Sequence, residues 1–169
     1  LPGIGEEHSS HEPEIPEDKK AEYILVDNTE KLKECMEDIE SSSLIAVDTE
    51  TSGLNPWENH LVGICLAGEE DKGYYIPLRH AESENISLVE LKEYLQPLLS
   101  AVEKTFVLHN AKFDIQFLKQ SGIDIKGKIV DSMIASYLLE SGSREHSLDK
   151  QVLKRLGHQM ISIEAMIGK

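Results

Sequence analysis

The chain has 169 residues, of which 40% are hydrophobic and 28% are charged, and its 17 Lys and Arg against 31 Asp and Glu give a net charge of −14. This length is typical of one domain with a core of its own. Two cysteines exclude a disulfide framework and a zinc site made of cysteines alone. The negative charge excludes a module that coats long stretches of DNA, because such surfaces are basic.

The longest apolar stretch, Leu61 to Gly68, is far shorter than the roughly 20 residues that cross a bilayer. No charged-then-apolar leader is visible, so we expect neither a membrane protein nor a secreted one. Because the chain begins at Leu1 rather than Met, we expect it to be a fragment of a longer protein. Residues 1–20 carry six acids, two lysines and three prolines, which predicts an acidic, disordered linker before a domain at 21–169.

From Tyr23 onward, hydrophobic periodicity predicts both strands and helices. Leu44 to Val47 is a continuous apolar run, which is typical of a central strand buried on both faces. Pro97 is expected to end or kink the helix that contains it. Together the elements predict an α/β domain, a mixed sheet with helices packed on it. Strands are predicted at 23–26, 44–47, 61–67, 74–76 and 105–108, and helices at 29–41, 87–99, 110–120, after Asp131, and at 147–156.

Two acids follow the second predicted strand. Asp48 and Glu50 are two positions apart, so on a strand their side chains point to the same face. Ionisation of either carboxylate near the core is unfavourable without a positively charged partner, and a divalent cation can be that partner. Hard oxygen ligands suit Mg²⁺ or Mn²⁺. The alternative is a strand end with two exposed acids.

A second polar motif, from His109 to Asp114, follows the predicted strand at 105–108 and opens a helix. Asn110 and Asp114 are one helical turn apart and therefore share a face. The alternative is that Asn110 is an ordinary N-cap and Asp114 a surface acid that suits the helix dipole. Strand ends converge at one edge of a layered α/β domain, so Asp114 is expected to meet Asp48 and Glu50.

These motifs carry a family resemblance. The segment from Asp48 to Leu54 resembles the first motif of the DnaQ-like, or DEDD, 3′–5′ exonucleases, and the segment from His109 to Asp114 resembles the second. The best match is the proofreading domain of family A, polymerase I-type DNA polymerases. The resemblance implies a ribonuclease H-like fold, truncated at its C-terminal end. Supporting matches occur at 61–63, 75–77, 122–123, 131–133, 136–138 and 167–169.

The resemblance also implies roles for individual residues. Asp48 would bridge two Mg²⁺ or Mn²⁺ ions, Glu50 would bind the ion that carries the attacking water, and Asp114 would hold the second ion. Two such ions clamp the attacking and leaving oxygens at phosphorus. The residues implied to contact or support the substrate strand are Thr51, Leu54, His109, Asn110, Phe113 and Arg144.

Structural alternatives remain open for several of these residues. Leu54 could be an ordinary core or loop residue, and His109 could be a hydrogen-bonded structural histidine. Asp131 is interpreted as a helix cap. Trp57 and Tyr74 could stack on bases, but we expect each to be partly buried instead.

The family's third motif, a Tyr or His followed four or five residues later by Asp, is not found after Asp114. The single Tyr-x-x-x-Asp runs from Tyr23 to Asp27, before the first motif. The 169 residues thus hold three of the four expected acids. We therefore expect weak metal binding and little or no cleavage by this fragment alone.

The leading hypothesis is a metal-dependent proofreading exonuclease that acts on single-stranded DNA 3′ ends, followed in the same chain by a polymerase domain. Its implied location is the bacterial cytoplasm, at the nucleoid, or an organelle of a eukaryote. A second hypothesis is a stand-alone exonuclease of the ribonuclease D or Werner type. A third is a catalytically silent structural or strand-binding domain of a polymerase.

Overall fold

The computed structural model describes residues 21–81 and 84–161, so the predicted linker at 1–20 lies outside the described residues. The described residues form two units, of which the first ends at Ser141 and the second begins at Gly142. This boundary falls inside the domain predicted at 21–169. In the first unit the elements are β1 (Glu22–Leu25), α1 (Thr29–Glu40), β2 (Leu44–Thr51), β3 (Leu61–Glu69), β4 (Lys72–Pro77), α2 (Leu88–Leu99), β5 (Thr105–Leu108), α3 (Ala111–Gln120), β6 (Lys128–Asp131) and α4 (Ser132–Leu139). The second unit contains α5 (Leu148–Leu156).

The six strands form one mixed sheet in the order β1-β4-β3-β2-β5-β6. The β2–β3 and β3–β4 pairs are antiparallel, whereas β1–β4, β2–β5 and β5–β6 are parallel. The predicted α/β class with a mixed sheet is confirmed. Strand β2, which carries the first acidic motif, lies in the interior of the sheet between β3 and β5.

Local chemistry explains where the helices begin and end. The Asn28 side chain accepts the Lys31 N–H at the start of α1, and Ser87 accepts the Glu90 N–H at the start of α2. Helix α2 ends two residues after Pro97, which is therefore tolerated in its last turn. Helix α5 ends at Gly157, which has a φ of 65°, a left-handed conformation that is favourable for glycine.

One hydrophobic core joins one face of the sheet to α1, α2 and α3. Burial alternates along β2, because Ile45 and Val47 face this core while Leu44 is 55% exposed. The prediction that this strand is buried on both faces is therefore wrong. Its other face, which carries Asp48 and Glu50, is open.

Within the described residues, no helix is long and apolar enough to cross a membrane.

Candidate nuclease site

Asp48 and Glu50 lie on the open face of the sheet. Asp48 is paired with Cys65 of β3 and Glu50 with Gly63, whereas Thr49 between them faces the core. The pleat of β2 thus brings the two carboxylates to one face, as predicted from their spacing. A register irregularity follows between Glu50 and Thr51, where the strand ends.

Both carboxyl groups have raised pKa values, although the residues are solvent-exposed. Desolvation by the surrounding protein raises the pKa of Asp48, whereas a hydrogen bond from the Thr49 backbone and an electrostatic contribution from His109 lower it. Desolvation also raises the pKa of Glu50, the negative charge of Asp48 adds to this, and His80 opposes it. The two carboxylates therefore destabilise each other's ionised forms, which is the environment that a bound cation relieves.

Asp114 lies in the first turn of α3 and is almost completely buried, with 2% exposure. Its Oδ1 accepts hydrogen bonds from the Thr49 hydroxyl at 2.7 Å and from the Thr49 backbone N–H at 3.1 Å. Burial raises the pKa of Asp114 to about 6, and the charge of Asp48 contributes in the same direction. The two motifs thus contact each other through the hydrogen bonds between Thr49 and Asp114, and the convergence of all three acids on one ion stays a prediction.

Thr49 is a site residue that the sequence analysis did not single out. It joins the first motif to the second through two hydrogen bonds, and only 7% of it is exposed. The available signal was its position between two acids, where the strand periodicity turns it toward the helices.

Asp131 fixes the start of α3. Its Oδ1 accepts the N–H groups of Asn110 at 3.2 Å, Met133 at 2.9 Å and Ile134 at 3.2 Å, and its Oδ2 accepts that of Ala111 at 2.8 Å. The predicted cap of the helix after Asp131 is present, and the same carboxylate also caps α3. Partial burial acts to raise the pKa of Asp131, but the four backbone donors outweigh it and lower the pKa.

Asn110 occupies the N-cap position of α3 in a left-handed conformation, with φ of 67° and ψ of 48°. Its side chain makes no capping hydrogen bond, so the alternative interpretation of Asn110 as an ordinary N-cap is wrong. Asp131, rather than the Asn110 side chain, accepts the N–H groups at the start of α3.

His109 has one engaged and one unengaged ring nitrogen. Its Nδ1 lies 2.9 Å from the Ser132 hydroxyl, which itself donates to the Leu108 carbonyl at 3.1 Å. Because that donation uses the only Ser132 proton, Nδ1 of His109 carries a hydrogen and is the donor in the pair. Its Nε2 is buried and has no hydrogen-bond partner among the residues that the structure describes.

The remaining predicted substrate residues fall in different settings. The Thr51 hydroxyl donates to the Gly53 carbonyl, and Leu54 in the following loop is 86% exposed. Phe113 packs on the core, with its ring centroid 5.0 Å from that of Phe117. Arg144 belongs to the second unit, so its assignment to the substrate stays a prediction.

Of the two aromatic residues weighed as stacking platforms, Tyr74 is buried, whereas Trp57 is 84% exposed. The expectation of partial burial is wrong for Trp57, because it lies in the loop between β2 and β3 rather than against the core.

No group of three His, Cys, Asp or Glu side chains in the described ranges is arranged to hold a metal ion. Asp48 and Glu50 share the open face, while Oδ1 of Asp114 accepts a hydrogen bond from the Thr49 hydroxyl. The donor chemistry nevertheless fits a hard cation, since all three are carboxylates with raised pKa values, and among the described residues no Lys or Arg pairs with them.

Similar solved structures share the fold. The Trypanosoma brucei RNase D complex with RNA U12 superposes with a TM-score of 0.69 at 18% identity, over 82% of this chain and 48% of that one. Brucella melitensis NrnC with bound Mg²⁺ superposes with a TM-score of 0.60 at 20% identity, over 87% of this chain and 66% of that one. These likenesses show the ribonuclease H-like exonuclease fold.

Sequence comparison identifies the family. Residues 23–169 match the sequence model of a family described as 3′–5′ exonuclease. DNA polymerase I of Pseudomonas aeruginosa is 32% identical over 163 residues, which cover 94% of this chain and 18% of the relative. DNA polymerase I of Synechocystis is 43% identical over 98 residues, 57% of this chain and 10% of the relative. The chain thus spans less than a fifth of the length of these relatives, and it belongs to the 3′–5′ exonuclease domains of polymerase I-type DNA polymerases.

Proposed function

We propose that this domain removes nucleotides one at a time from single-stranded DNA 3′ ends, as the metal-dependent proofreading exonuclease of a longer polymerase chain. The observation that carries the proposal is the coupled set of carboxylates. Asp48 and Glu50 share the open face of β2, and Thr49 between them makes two hydrogen bonds to Asp114, so the acids of both motifs are linked. Desolvation raises the pKa of Glu50 and of Asp114, and the charge of Asp48 adds to both shifts. The family match to residues 23–169 supports the same chemistry.

In this proposal Asp48 and Glu50 hold Mg²⁺ or Mn²⁺ on the open sheet face, and Asp114 contributes its carboxylate from the first turn of α3. When bound, two such ions supply an acidified water and stabilise negative charge at the phosphate. The Mg²⁺ bound to Brucella melitensis NrnC, which has the same fold, supports the choice of cation. The protein's own task is to keep the carboxylates together in a partly desolvated setting.

The substrate side of the proposal rests on the groups beside the carboxylates. Exposed Leu54 is available to contact a terminal base, and Thr51 supports the loop that carries it. Asn110 and His109 offer polar groups that are not used by the fold, with Phe113 packed behind them. Arg144 is proposed to contact phosphate.

The partner is proposed to be the polymerase domain of the same parent chain, since the relatives are DNA polymerases I. The compartment is then the bacterial cytoplasm, at the nucleoid, or an organelle. We also propose that the 169 residues alone cleave little or not at all, because no Tyr-x-x-x-Asp motif occurs after Asp114 to complete the site.

The test is digestion of a 5′-labelled single-stranded DNA by the 169-residue chain and by the longer polypeptide proposed to carry it. We expect the longer polypeptide to shorten the DNA from its 3′ end with Mg²⁺ or Mn²⁺, and Asp48→Ala to abolish this. Asp124→Ala, at an exposed aspartate elsewhere on the domain, is the matched control and should retain activity. A well-folded longer polypeptide that does not digest DNA would instead support the silent strand-binding hypothesis.

A ribonuclease D-type activity is the second candidate, because the Trypanosoma brucei RNase D complex with RNA has the same fold. A parallel reaction with an RNA oligonucleotide of the same sequence separates the two. Faster digestion of the RNA would favour this candidate over proofreading.

A further inference from the structure

A tyrosine and a histidine adjoin Glu50 from strand β4 and the loop that follows it. Tyr75 is paired with Cys65, which is paired in turn with Asp48, so Tyr75 lies on the same open sheet face as the carboxylates. His80 follows β4 by three residues. Neither side chain is assigned to the site by the exonuclease motifs described above.

Gly63 creates the space that brings Tyr75 toward Glu50. Glu50 is paired with Gly63 across the β2–β3 ladder. A Cβ atom at Gly63 would lie only 2.2 Å from the Tyr75 hydroxyl oxygen and 2.5 Å from its Cζ. The tyrosine ring therefore lies over Gly63. The backbone of Tyr75 is level with Asp48 across the sheet, whereas its hydroxyl is level with Glu50, the residue paired with Gly63. Any other residue at position 63 would displace it.

The hydroxyl is held in that place by His80. The Tyr75 Oη and the His80 Nε2 share a hydrogen bond of 2.5 Å, and the two rings meet edge to face with centroids 5.6 Å apart. Asn85 fixes the His80 backbone by two hydrogen bonds, accepting from its N–H at 2.7 Å and donating to its carbonyl at 2.9 Å. The pair thus has a defined geometry although His80 is exposed.

Charge couples the pair to Glu50. Desolvation raises the pKa of Tyr75 to about 12, with Cys65 and Glu50 contributing, so its hydroxyl stays protonated near neutral pH. His80 lowers the pKa of Glu50, whereas desolvation and Asp48 raise it. Glu50 therefore has Asp48 two positions away on its own strand, and the Tyr75 hydroxyl, bonded to His80, over its cross-strand partner Gly63.

We infer that Tyr75 and His80 are a positioning pair for Glu50, which orient its carboxylate toward a divalent cation on the open sheet face. This inference rests on the proposed function, since it assigns the pair to the metal side of that site. The pair acts through Glu50, so removing it should weaken cation binding without removing a ligand. Loss of comparable supporting groups around metal ligands typically costs about 10- to 100-fold in affinity.

The experiment measures Mn²⁺ affinity directly, by electron paramagnetic resonance of free Mn²⁺, in the longer polypeptide. Tyr75→Phe keeps the ring over Gly63 and deletes only the hydroxyl, and we expect it to raise the Kd for Mn²⁺ about 10-fold or more. His80→Ala should behave alike, and His80→Gln, whose amide can still hydrogen-bond Tyr75, should restore part of the affinity. Tyr74→Phe is the matched control, because Tyr74 faces the core side and bonds Asp38 instead.

A double-mutant cycle with Glu50→Gln separates positioning from general damage. In that background we expect Tyr75→Phe to leave the Kd unchanged, because there is no carboxylate left to position. At saturating Mn²⁺ the cleavage rate of Tyr75→Phe should approach that of the wild type, while the metal concentration for half-maximal rate increases.

The inference is overturned if Tyr75→Phe binds Mn²⁺ as tightly as the wild type, if its effect persists unchanged with Glu50→Gln, or if the wild type binds no Mn²⁺. A wild type that binds Mn²⁺ with the expected variant pattern, but digests neither DNA nor RNA, would refute the proposed function and leave the positioning pair in place.

Discussion

The carboxylate of Asp131 provides the sharpest test of how the second motif is held. It is the common acceptor for four backbone N–H groups, two at the start of α3 and two at the start of α4. Asp131→Ala would leave both helix starts uncapped, whereas Asp131→Asn keeps one acceptor oxygen. Since Oδ1 serves three donors and Oδ2 only Ala111, the asparagine can retain three bonds by placing its amide nitrogen toward Ala111.

The size of the effect follows from this count. Loss of one N-cap costs about 1 kcal/mol, with a range of about 0.5–2, so two caps predict a loss of about 2 kcal/mol, within a range of about 1–4, for Asp131→Ala. Asp131→Asn should cost about 1–2 kcal/mol, because one charge-assisted hydrogen bond is lost and the others become neutral. The free energy of unfolding, measured by urea titration with circular dichroism, checks both numbers. Asp124→Ala is the control and should change it by less than about 0.5 kcal/mol.

The pH dependence has a definite sign. The folded protein lowers the pKa of Asp131, so its stabilising contribution is complete above the unfolded value of about 3.9 and disappears as the pH falls through the folded value. The difference between wild type and Asp131→Asn should therefore shrink on acidification below about pH 4. Equal differences at pH 7 and pH 3, or a loss under about 0.5 kcal/mol for Asp131→Ala, would refute the shared-cap explanation.

Three further predictions concern single residues. Burial raises the pKa of Asp114 to about 6, so its negative charge destabilises the folded protein above pH 6, and this destabilisation disappears toward pH 4. Asp114→Asn should therefore stabilise the metal-free protein by up to about 3 kcal/mol at pH 8 and by little at pH 4. Thermal unfolding in EDTA measures this, and a less stable variant at pH 8 would contradict it. Asn110→Gly should leave the unfolding free energy within about 1 kcal/mol of wild type or above it, since the position has a φ of 67° and no side-chain cap, while Asn110→Val should lower it. Trp57→Ala should change stability by less than about 0.5 kcal/mol, against about 3–5 for a buried tryptophan, and a larger loss in urea titration would show that the ring is packed.

Local signals were sufficient to predict most of the elements that carry the site. The apolar run before Asp48 and the run before His109 have strand character, and the helix after Asn110 shows helical spacing and ends before Gly122, which has a φ of 73°. Because side chains alternate between the two faces of a strand, the spacing of Asp48 and Glu50 also predicted that they lie on one face. These features depend on neighbouring residues only, so the sequence contains them directly.

Features that depend on distant residues were not predicted. Strand β6 is four residues long with mostly exposed side chains, so its existence depends on pairing with β5 rather than on its own pattern. Likewise, an aspartate before one helix has the same sequence signature whether it caps that helix or two. The second set of donors to Asp131 comes from residues 20 and 21 positions earlier, and only the fold brings them near.

The same reasoning explains why the carboxylates mark function rather than stability. A fold selected only for stability would not bury Asp114 beside Asp48, nor leave Glu50 next to Asp48 on an interior strand, since each placement raises a carboxyl pKa and disfavours the charged form. Elsewhere in the domain two carboxylates do have partners, since Asp38 pairs with Lys72 and Asp131 accepts from four donors. Local violations of these rules within an otherwise consistent fold are where a ligand supplies the missing partner. For a cluster of carboxylates in a protein of net charge −14, the partner we propose is a cation, which would also offset the negative charge of the surface where a nucleic acid end is proposed to bind.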